Sequence, residues 1–332
     1  MPLSFGQSGS PWRGTAPAAE PIAPTPEYLQ HFHSLVHSRQ QQKSAGYVME
    51  RMSQQELDKK RRCGRCNMRH TNLPCKFHPG ALDSRKQWTC CNRTAFKIGC
   101  ESEAEHQVRI YAPGELEQRW RFEPTPTYYL NSSDTRRAVA IDCEMGTAYD
   151  GTSELIRVTM IDYFTGAVLV DKLVWPDVEM MHYNTRYSGV TRFDMQTALR
   201  AGTCIRGIRN AKAELWRFVG QDTIVVGHSA ENDLRALRWI HSRVVDSFLI
   251  ESALKKESDM REGDGNEKEK EGQPFKKRPE DGLSLKAMAM RKLGRAIQVG
   301  GRKGHDSLED AIATRDLIHF RVVELMAAAE SD

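Results

Sequence analysis

No apolar run in this 332-residue chain approaches the roughly 18 to 20 residues that a membrane-spanning helix requires, so no such helix is expected. Residues 1–10 hold no basic segment followed by an apolar stretch, so no secretory leader is expected and the chain reads as intracellular. The excess of positive charge is small, +4 from 48 Lys and Arg against 44 Asp and Glu, so bulk charge by itself points to no polyanionic partner. Cysteine is scarce outside one short stretch: of eight, six lie between Cys63 and Cys100, leaving Cys143 and Cys204 elsewhere. In a reducing compartment that crowding predicts metal binding rather than a disulfide scaffold. No repeat at a fixed period is present, which excludes solenoids and propellers. Hydrophobic residues at 39% and charged residues at 28% describe an ordinary soluble protein with polar appendages.

The length favours two domains with connecting segments. Residues 1–52 read as a mostly disordered tail: the first 24 are rich in Pro, Ser, Gly and Ala, and a short amphipathic helix from residue 26 to about 42 would place Tyr28, Leu29, Phe32, Leu35 and Val36 on one side. Ser53 and Glu56 have capping-box spacing just before Leu57 and predict a helix start there. Residues 53–110 form a Cys/His-rich module. Residues 111–135, with Pro113, Pro124 and Pro126, read as a linker with few stable contacts.

From residue 136 to 328 strands alternate with helices, which predicts an α/β domain built on a central sheet. Strands are expected at 138–145, 155–164, 167–175 and 222–228, with a hairpin turn at Phe164, Thr165 and Gly166. Helices are expected at 191–200, 207–219, 230–239, 283–293 and about 306–328, and 244–254 reads as a short strand running into a helix. Residues 255–282 are almost wholly charged or turn-forming and read as a disordered insertion.

The first of these strands carries the clearest chemical signal. Residues two apart on a strand share a face, so apolar Val139, Ile141, Cys143 and Met145 point one way, and Ala138, Ala140, Asp142 and Glu144 the other. Two carboxylates side by side on a half-buried strand repel and resist burial unless a cation or the solvent at a strand end offsets the cost. Asp233 opens a helix in GHSAENDL, where a carboxylate also suits the helix dipole. In GHDSLEDA, Asp306 as N-cap and Glu309 as its capping-box partner would leave His305 on the preceding loop and Asp310 early in the helix. A mobile imidazole beside a fixed carboxylate suits a base that must reach a water molecule. His228, ending a strand, reads as a hydrogen-bonded structural residue.

The strings DCEM, GHSAENDL and HDSLEDA, in this order and setting, resemble the three motifs of the DEDDh 3′→5′ exonucleases. With TRYSGVT and LSLKAMA between them, they are similar to the Rex-type RNA exonuclease branch, over residues 136–326. The resemblance implies a ribonuclease H-like exonuclease fold, a central mixed sheet flanked by helices. It implies two Mg²⁺ or Mn²⁺ ions held by Asp142, Glu144, Asp233 and Asp310, with His305 as general base. It also implies that Met145, Tyr187, Ser188, Gly189 and Val190 receive the terminal nucleotide. The expected activity is release of nucleoside monophosphates from RNA 3′ ends, in RNA processing or turnover. Single-stranded DNA as substrate, and a non-catalytic zinc-dependent adaptor, stay open as alternatives.

The module at residues 53–110 offers Cys63, Cys66, Cys75, His78, Cys90, Cys91, Cys100 and His106, enough for two tetrahedral Zn²⁺ ions, with His70 as a substitute ligand. CKFHPG, WTCC and the following GC resemble part of the CHORD module, although the spacing before Cys75 is shorter. Which four ligands share an ion is open. Basic residues Lys59, Lys60, Arg61, Arg62, Arg65 and Arg69 lead the module, and Arg85, Lys86, Arg93 and Lys97 follow. The run fits RNA phosphates, a protein partner or a nuclear-import signal.

Overall fold

The computed structural model describes residues 19–68, 73–85, 87–94, 97–127, 134–263, 282–299 and 304–331. The first eighteen tail residues, His70, Arg69, Lys86 and most of the charged insertion lie outside them.

The segment expected to be a tail is packed from residue 19 onward. It forms α1 (Pro26–Ser34), α2 (Arg39–Ser44) and α3 (Gln54–Asp58). Thr25, Ser38 and Ser53 cap the three helices through their hydroxyls, and Ser53 with Glu56 makes the expected capping box. Tyr28 and Phe32 bury their rings against Tyr163 and Phe164, and burial of each ring contributes on the order of 2 kcal/mol. Arg315, fully buried, donates to the carbonyls of Tyr163 and Glu20 and so ties the incoming chain down.

The Cys/His stretch holds a two-stranded antiparallel ribbon, β1 (Cys75–Phe77) and β2 (Glu101–Glu103). The presumed linker is also structured: α4 (Glu115–Arg119) leads to β3 (Glu123–Pro124). Trp120 and Phe122 are buried with Leu57 and Leu116. Thr125 is buried too; its hydroxyl donates to Nδ1 of His241 at 2.7 Å and accepts from Trp239 Nε1 at 2.8 Å. The prolines misled because three in fourteen residues read as a spacer, whereas the aromatic residues between them are what the core takes up.

The α/β unit follows as β4 (Ala138–Ala148), β5 (Ser153–Asp162), β6 (Val168–Trp175) and β7 (Met180–His182), then α5 (Thr185–Ser188) and α6 (Arg192–Ala201). After these come β8 (Ile205–Arg206), α7 (Gly207–Leu215), β9 (Ile224–Gly227), α8 (Glu231–Ala236), β10 (Trp239–Ile240) and β11 (Val244–Asp246). The chain closes with α9 (Ser247–Gly263), α10 (Leu285–Leu293) and α11 (Ser307–Ala329). The first nine residues of the expected insertion, 255–263, thus continue α9 as helix.

The main sheet has the order β11-β9-β4-β5-β6-β8, with β7 pairing β4. β4, β9 and β11 run parallel, whereas β5 and β6 are antiparallel additions, so this is the mixed sheet flanked by helices that was expected. Separately, β10 pairs in parallel with β3 and carries the former linker onto the domain. Val139, Ile141 and Cys143 pack in one core with residues of α7 and α8. Ala138 and Ala140 pack in the other, against Leu308, Ala311 and Ile312 of α11. Small residues on that face of β4 let α11 lie close to the sheet, which sets the distance between the acids of the strand and those of the helix.

Candidate active site and metal centres

Asp142 and Glu144 stand on β4, opposite Thr159 and Arg157 of β5, and the ladder slips at Glu144/Met145. A slip of this kind re-aims side chains and is common beside active sites. Asp233, on the first turn of α8, accepts a hydrogen bond from the Cys143 N–H at 3.0 Å. That N–H is available because β9 pairs with β4 only through Ala140. The turn before α8 is nailed by Asp246: its carboxylate accepts from the N–H groups of Ser229 and Ala230 and from the Tyr47 hydroxyl at 2.6 Å.

Asp310 reaches the same cleft from α11. Asp306 caps that helix as expected, accepting from the Leu308 N–H at 3.1 Å. Glu309 does not close the capping box; its carboxylate accepts instead from the Gln298 N–H at 2.8 Å. The helix start is tied to β5 by two contacts, Ser307 with Thr159 at 2.6 Å between hydroxyls and Asp306 with Arg157 at 3.0 Å. Arg157 is buried and also grips Asp171 through two nitrogens. Arg157, Asp171, Gln298, Tyr47 and Asp246 were not singled out from the sequence. Only the alternation of Arg157 with apolar neighbours on a buried strand could have flagged one of them.

The electrostatics record how crowded the acids are. Burial raises the pKa of Asp142 well above the carboxylate range, and the charges of Asp233, Asp310 and Glu144 add to the rise. Burial pushes Glu144 up to about 9, with Asp310 adding and Arg157 opposing. Asp310 is pushed up to about 7, mainly by burial, and Asp233 also lies well above its usual value. Asp310 Oδ1 is buried with no hydrogen-bond partner among the protein atoms. An orphaned carboxylate oxygen amid repelling acids fits divalent cations of the Mg²⁺ or Mn²⁺ type, which take oxygen ligands. The charges of these acids act on one another, so the four stand near each other in the fold.

His305 lies on the loop before α11, partly exposed, with Nδ1 3.9 Å from Asp310 Oδ2. Its pKa is held below the usual value by burial and by Lys286. Its N–H donates to the Tyr187 carbonyl at 2.6 Å, joining two loops. Gly304 makes that approach feasible: it has φ +76°, and a Cβ there would meet the Gly189 nitrogen at 2.1 Å. Of the residues expected to receive a nucleotide, Tyr187 is exposed and Met145 and Gly189 are partly so. Val190 and Ser188 are buried. Val190 packs with Ile156 and Met195, and the Ser188 hydroxyl donates to the Tyr183 carbonyl, so both shape the loop from beneath. His228 is partly buried beside the Ser247 hydroxyl at 2.9 Å, as a structural residue would be.

In the module the eight candidate ligands divide cleanly. Cys63, Cys66, Cys75 and His106 form one group, and His78, Cys90, Cys91 and Cys100 the other. Within them Cys63 and Cys75 sulfurs lie 3.6 Å apart, Cys66 lies 3.3 Å from His106 Nδ1, and Cys91 lies 3.4 Å from His78 Nδ1. Edges of about 3.4–3.8 Å are what a tetrahedron of Zn–S and Zn–N bonds requires. His78 Nε2 donates to the Lys97 carbonyl at 3.1 Å, which leaves Nδ1 bare for a metal. Burial works against the Cys63 thiolate, yet the N–H groups of Cys66 and Arg65 bring its pKa down to about 6. The second group is nested inside the first, and the β1–β2 ribbon joins them. The basic run is largely engaged within the protein. Lys60 lies over Trp120, Arg61 pairs with Asp58, buried Arg62 donates to the Asp150 carbonyl, and Arg65 pairs with Glu103.

No protein-family profile matches the chain. RNA exonuclease 3 of Candida albicans is 28% identical over 303 residues, which cover 89% of this chain and 67% of that protein. RNA exonuclease 1 homolog of Homo sapiens is 34% identical over 259 residues, covering 75% of this chain but only 18% of that protein. Another RNA exonuclease 3, from Emericella nidulans, is 29% identical, and the chain spans 44% of its length. Among solved structures, the catalytic unit of Neurospora crassa Pan2, with its protease and nuclease domain, aligns with a TM-score of 0.42 at 20% identity. That alignment covers 69% of this chain and 35% of that one. Among the described residues no helix is long and apolar enough to cross a membrane.

Proposed function

We propose that this chain is a metal-dependent 3′→5′ exonuclease of the DEDDh type, acting on RNA and releasing nucleoside 5′-monophosphates. What supports the reading is that Asp142, Glu144, Asp233 and Asp310, from three separate elements, lie near enough for their charges to act on one another, with His305 Nδ1 3.9 Å from Asp310 Oδ2. Support for RNA comes from the relatives, whose names are those of RNA exonucleases.

Asp142, Glu144 and Asp310 would hold one divalent ion, and Asp142 with Asp233 a second. Such ions, when bound, neutralise charge on the scissile phosphate and on the attacking and leaving oxygens. Burial and Lys286 hold the pKa of His305 below the usual histidine value, which favours the unprotonated ring that would accept the proton of the attacking water. The water oxygen bonds to phosphorus as the bond to the 3′-oxygen of the preceding nucleotide breaks, leaving a chain one residue shorter. Exposed Tyr187 offers a stacking face for the terminal base. The Cys/His module would carry two Zn²⁺ ions as a structural platform.

The test is degradation of matched 5′-labelled RNA and DNA oligomers in Mg²⁺ or Mn²⁺. A one-nucleotide ladder receding from the 3′ end of RNA is expected. A preference for DNA of about tenfold or more, some 1.4 kcal/mol, would replace RNA with single-stranded DNA. Equal binding with no hydrolysis would make the chain an adaptor.

A further inference from the structure

Gln298, in the loop between α10 and α11, holds a backbone conformation that side chains other than glycine seldom adopt, with φ +54°. Three contacts keep it there. Its N–H donates to Glu309 Oε2 at 2.8 Å, its carbonyl accepts from Lys286 Nζ at 3.1 Å, and its side-chain Nε2 donates to Asp310 Oδ2 at 2.9 Å. The neighbouring Ile297 is fully buried with Leu285, Met288 and Leu317, so the loop is anchored where Gln298 turns outward.

We propose that Gln298 is a positioning residue whose amide orients the Asp310 carboxylate so that its buried, unpartnered oxygen is presented to a divalent cation. The inference rests on the proposed metal-dependent reading of the cleft. The chemistry of the two oxygens argues for it. Oδ2 is taken by an amide donor, while Oδ1 is buried with no hydrogen-bond partner in the protein, so the carboxylate is held asymmetrically with one face kept for a ligand. His305 cannot do this, because its Nδ1 stands 3.9 Å from Oδ2, beyond hydrogen-bonding range. Nor can Glu309, an acid, which would repel Asp310. Glu309 instead holds the main chain of Gln298, which accounts for its absence from the helix cap. Carboxylate ligands generally depend on such outer donors, and losing one typically weakens metal binding about 10- to 100-fold.

The experiment is calorimetric titration of Mn²⁺ into the zinc-loaded full chain, comparing wild type, Gln298→Met, Asp310→Asn and the double variant. Gln298→Met keeps length but removes the donor, and its dissociation constant should rise about 10- to 100-fold. In the Asp310→Asn background the same change should add less than about twofold, because Gln298 acts through Asp310. Gln298→Asn, whose amide falls one methylene short, should weaken binding in the same direction. Mn²⁺ affinity in Gln298→Met within about twofold of wild type overturns the proposal. So does an equal loss in the Asp310→Asn background, which would make the loop merely structural. Wild-type protein that binds no Mn²⁺ in the cleft would sink the metal-dependent reading itself, a result distinct from either.

Discussion

The cleft beside β4 and the Cys/His module both gather ligand atoms, but they stand in opposite relation to folding. The cleft is carved into a core that forms around it. Its acids are buried against apolar neighbours and one another, so without a cation each subtracts from stability. The module has almost no core: between residues 63 and 106 the buried hydrophobic side chains among the described residues are Cys63 and Cys75, both candidate ligands. There a metal would supply the folding free energy that packing cannot. Hard carboxylates in a rigid frame suit ions that come and go with substrate, and soft thiolates in a small loop suit an ion that stays.

The comparison is broken most directly at the acids. Asp142→Ala should lower the rate of RNA hydrolysis by about a thousandfold or more, some 4 kcal/mol of barrier. Its thermal midpoint in buffer without divalent cation should hold or rise, because a carboxyl that burial and its acidic neighbours disfavour is gone. A rate unchanged from wild type removes the cleft from the chemistry. In the module the opposite is expected. Cys75→Ser should reduce zinc from about two to about one per chain and expose residues 63–106 to protease, with the α/β domain still melting cooperatively. Metal analysis and limited proteolysis read both. Two zinc atoms retained in that variant would redraw the ligand groups.

A smaller effect sharpens the picture of how the cleft is held. Arg157 bridges Asp171 of β6 and Asp306 of α11, and a lysine cannot make both contacts in the same planar fork. Arg157→Lys should therefore slow turnover about 10- to 100-fold with little change in far-ultraviolet circular dichroism. The smallest expected effect is in pH dependence. Glu144 and Asp310 sit above their ordinary values, at about 9 and about 7, so the folded state keeps protons that the unfolded chain releases. Their contribution is then greatest at acid pH and is lost as pH rises from the unfolded carboxylate range through those values. Without divalent cation, the melting temperature of wild type should fall relative to that of Asp310→Asn between pH 5 and pH 9. Mg²⁺ should close the gap; a gap that does not depend on pH argues against a shifted Asp310.

Much of the α/β domain was legible because its signals are local. Alternation along β4, the Asp306 cap and the turn at Gly166 each depend on neighbours a few residues away. The module's eight candidate ligands could be named for the same reason, but not their grouping, which depends on the β1–β2 ribbon that leaves Cys75 in one group and His78 in the other. The stretches read as tail and linker failed for a related reason. Tyr28 and Phe32 need Tyr163 and Phe164, more than a hundred residues away, to bury against, and Trp120 and Phe122 need Leu57 of α3, so no short window shows that these stretches pack. Ser188 and Val190 share a string with Tyr187, yet the short turn of α5 exposes Tyr187 and buries Ser188, and Val190 just beyond it is buried against Ile156 and Met195.

The amino-acid order alone determined which side chains carry charge, which can ligate soft or hard ions, and which segments repeat at strand or helix period, since these are properties of short windows. What only the tertiary structure decided is their mutual distance. Asp233 found the Cys143 N–H, Arg157 found Asp306 and Gln298 found Asp310 because a twisted sheet and one long helix fold distant segments into one low-dielectric cleft. Forces between charges depend on that separation and on the burial around them, and neither is a function of position along the chain.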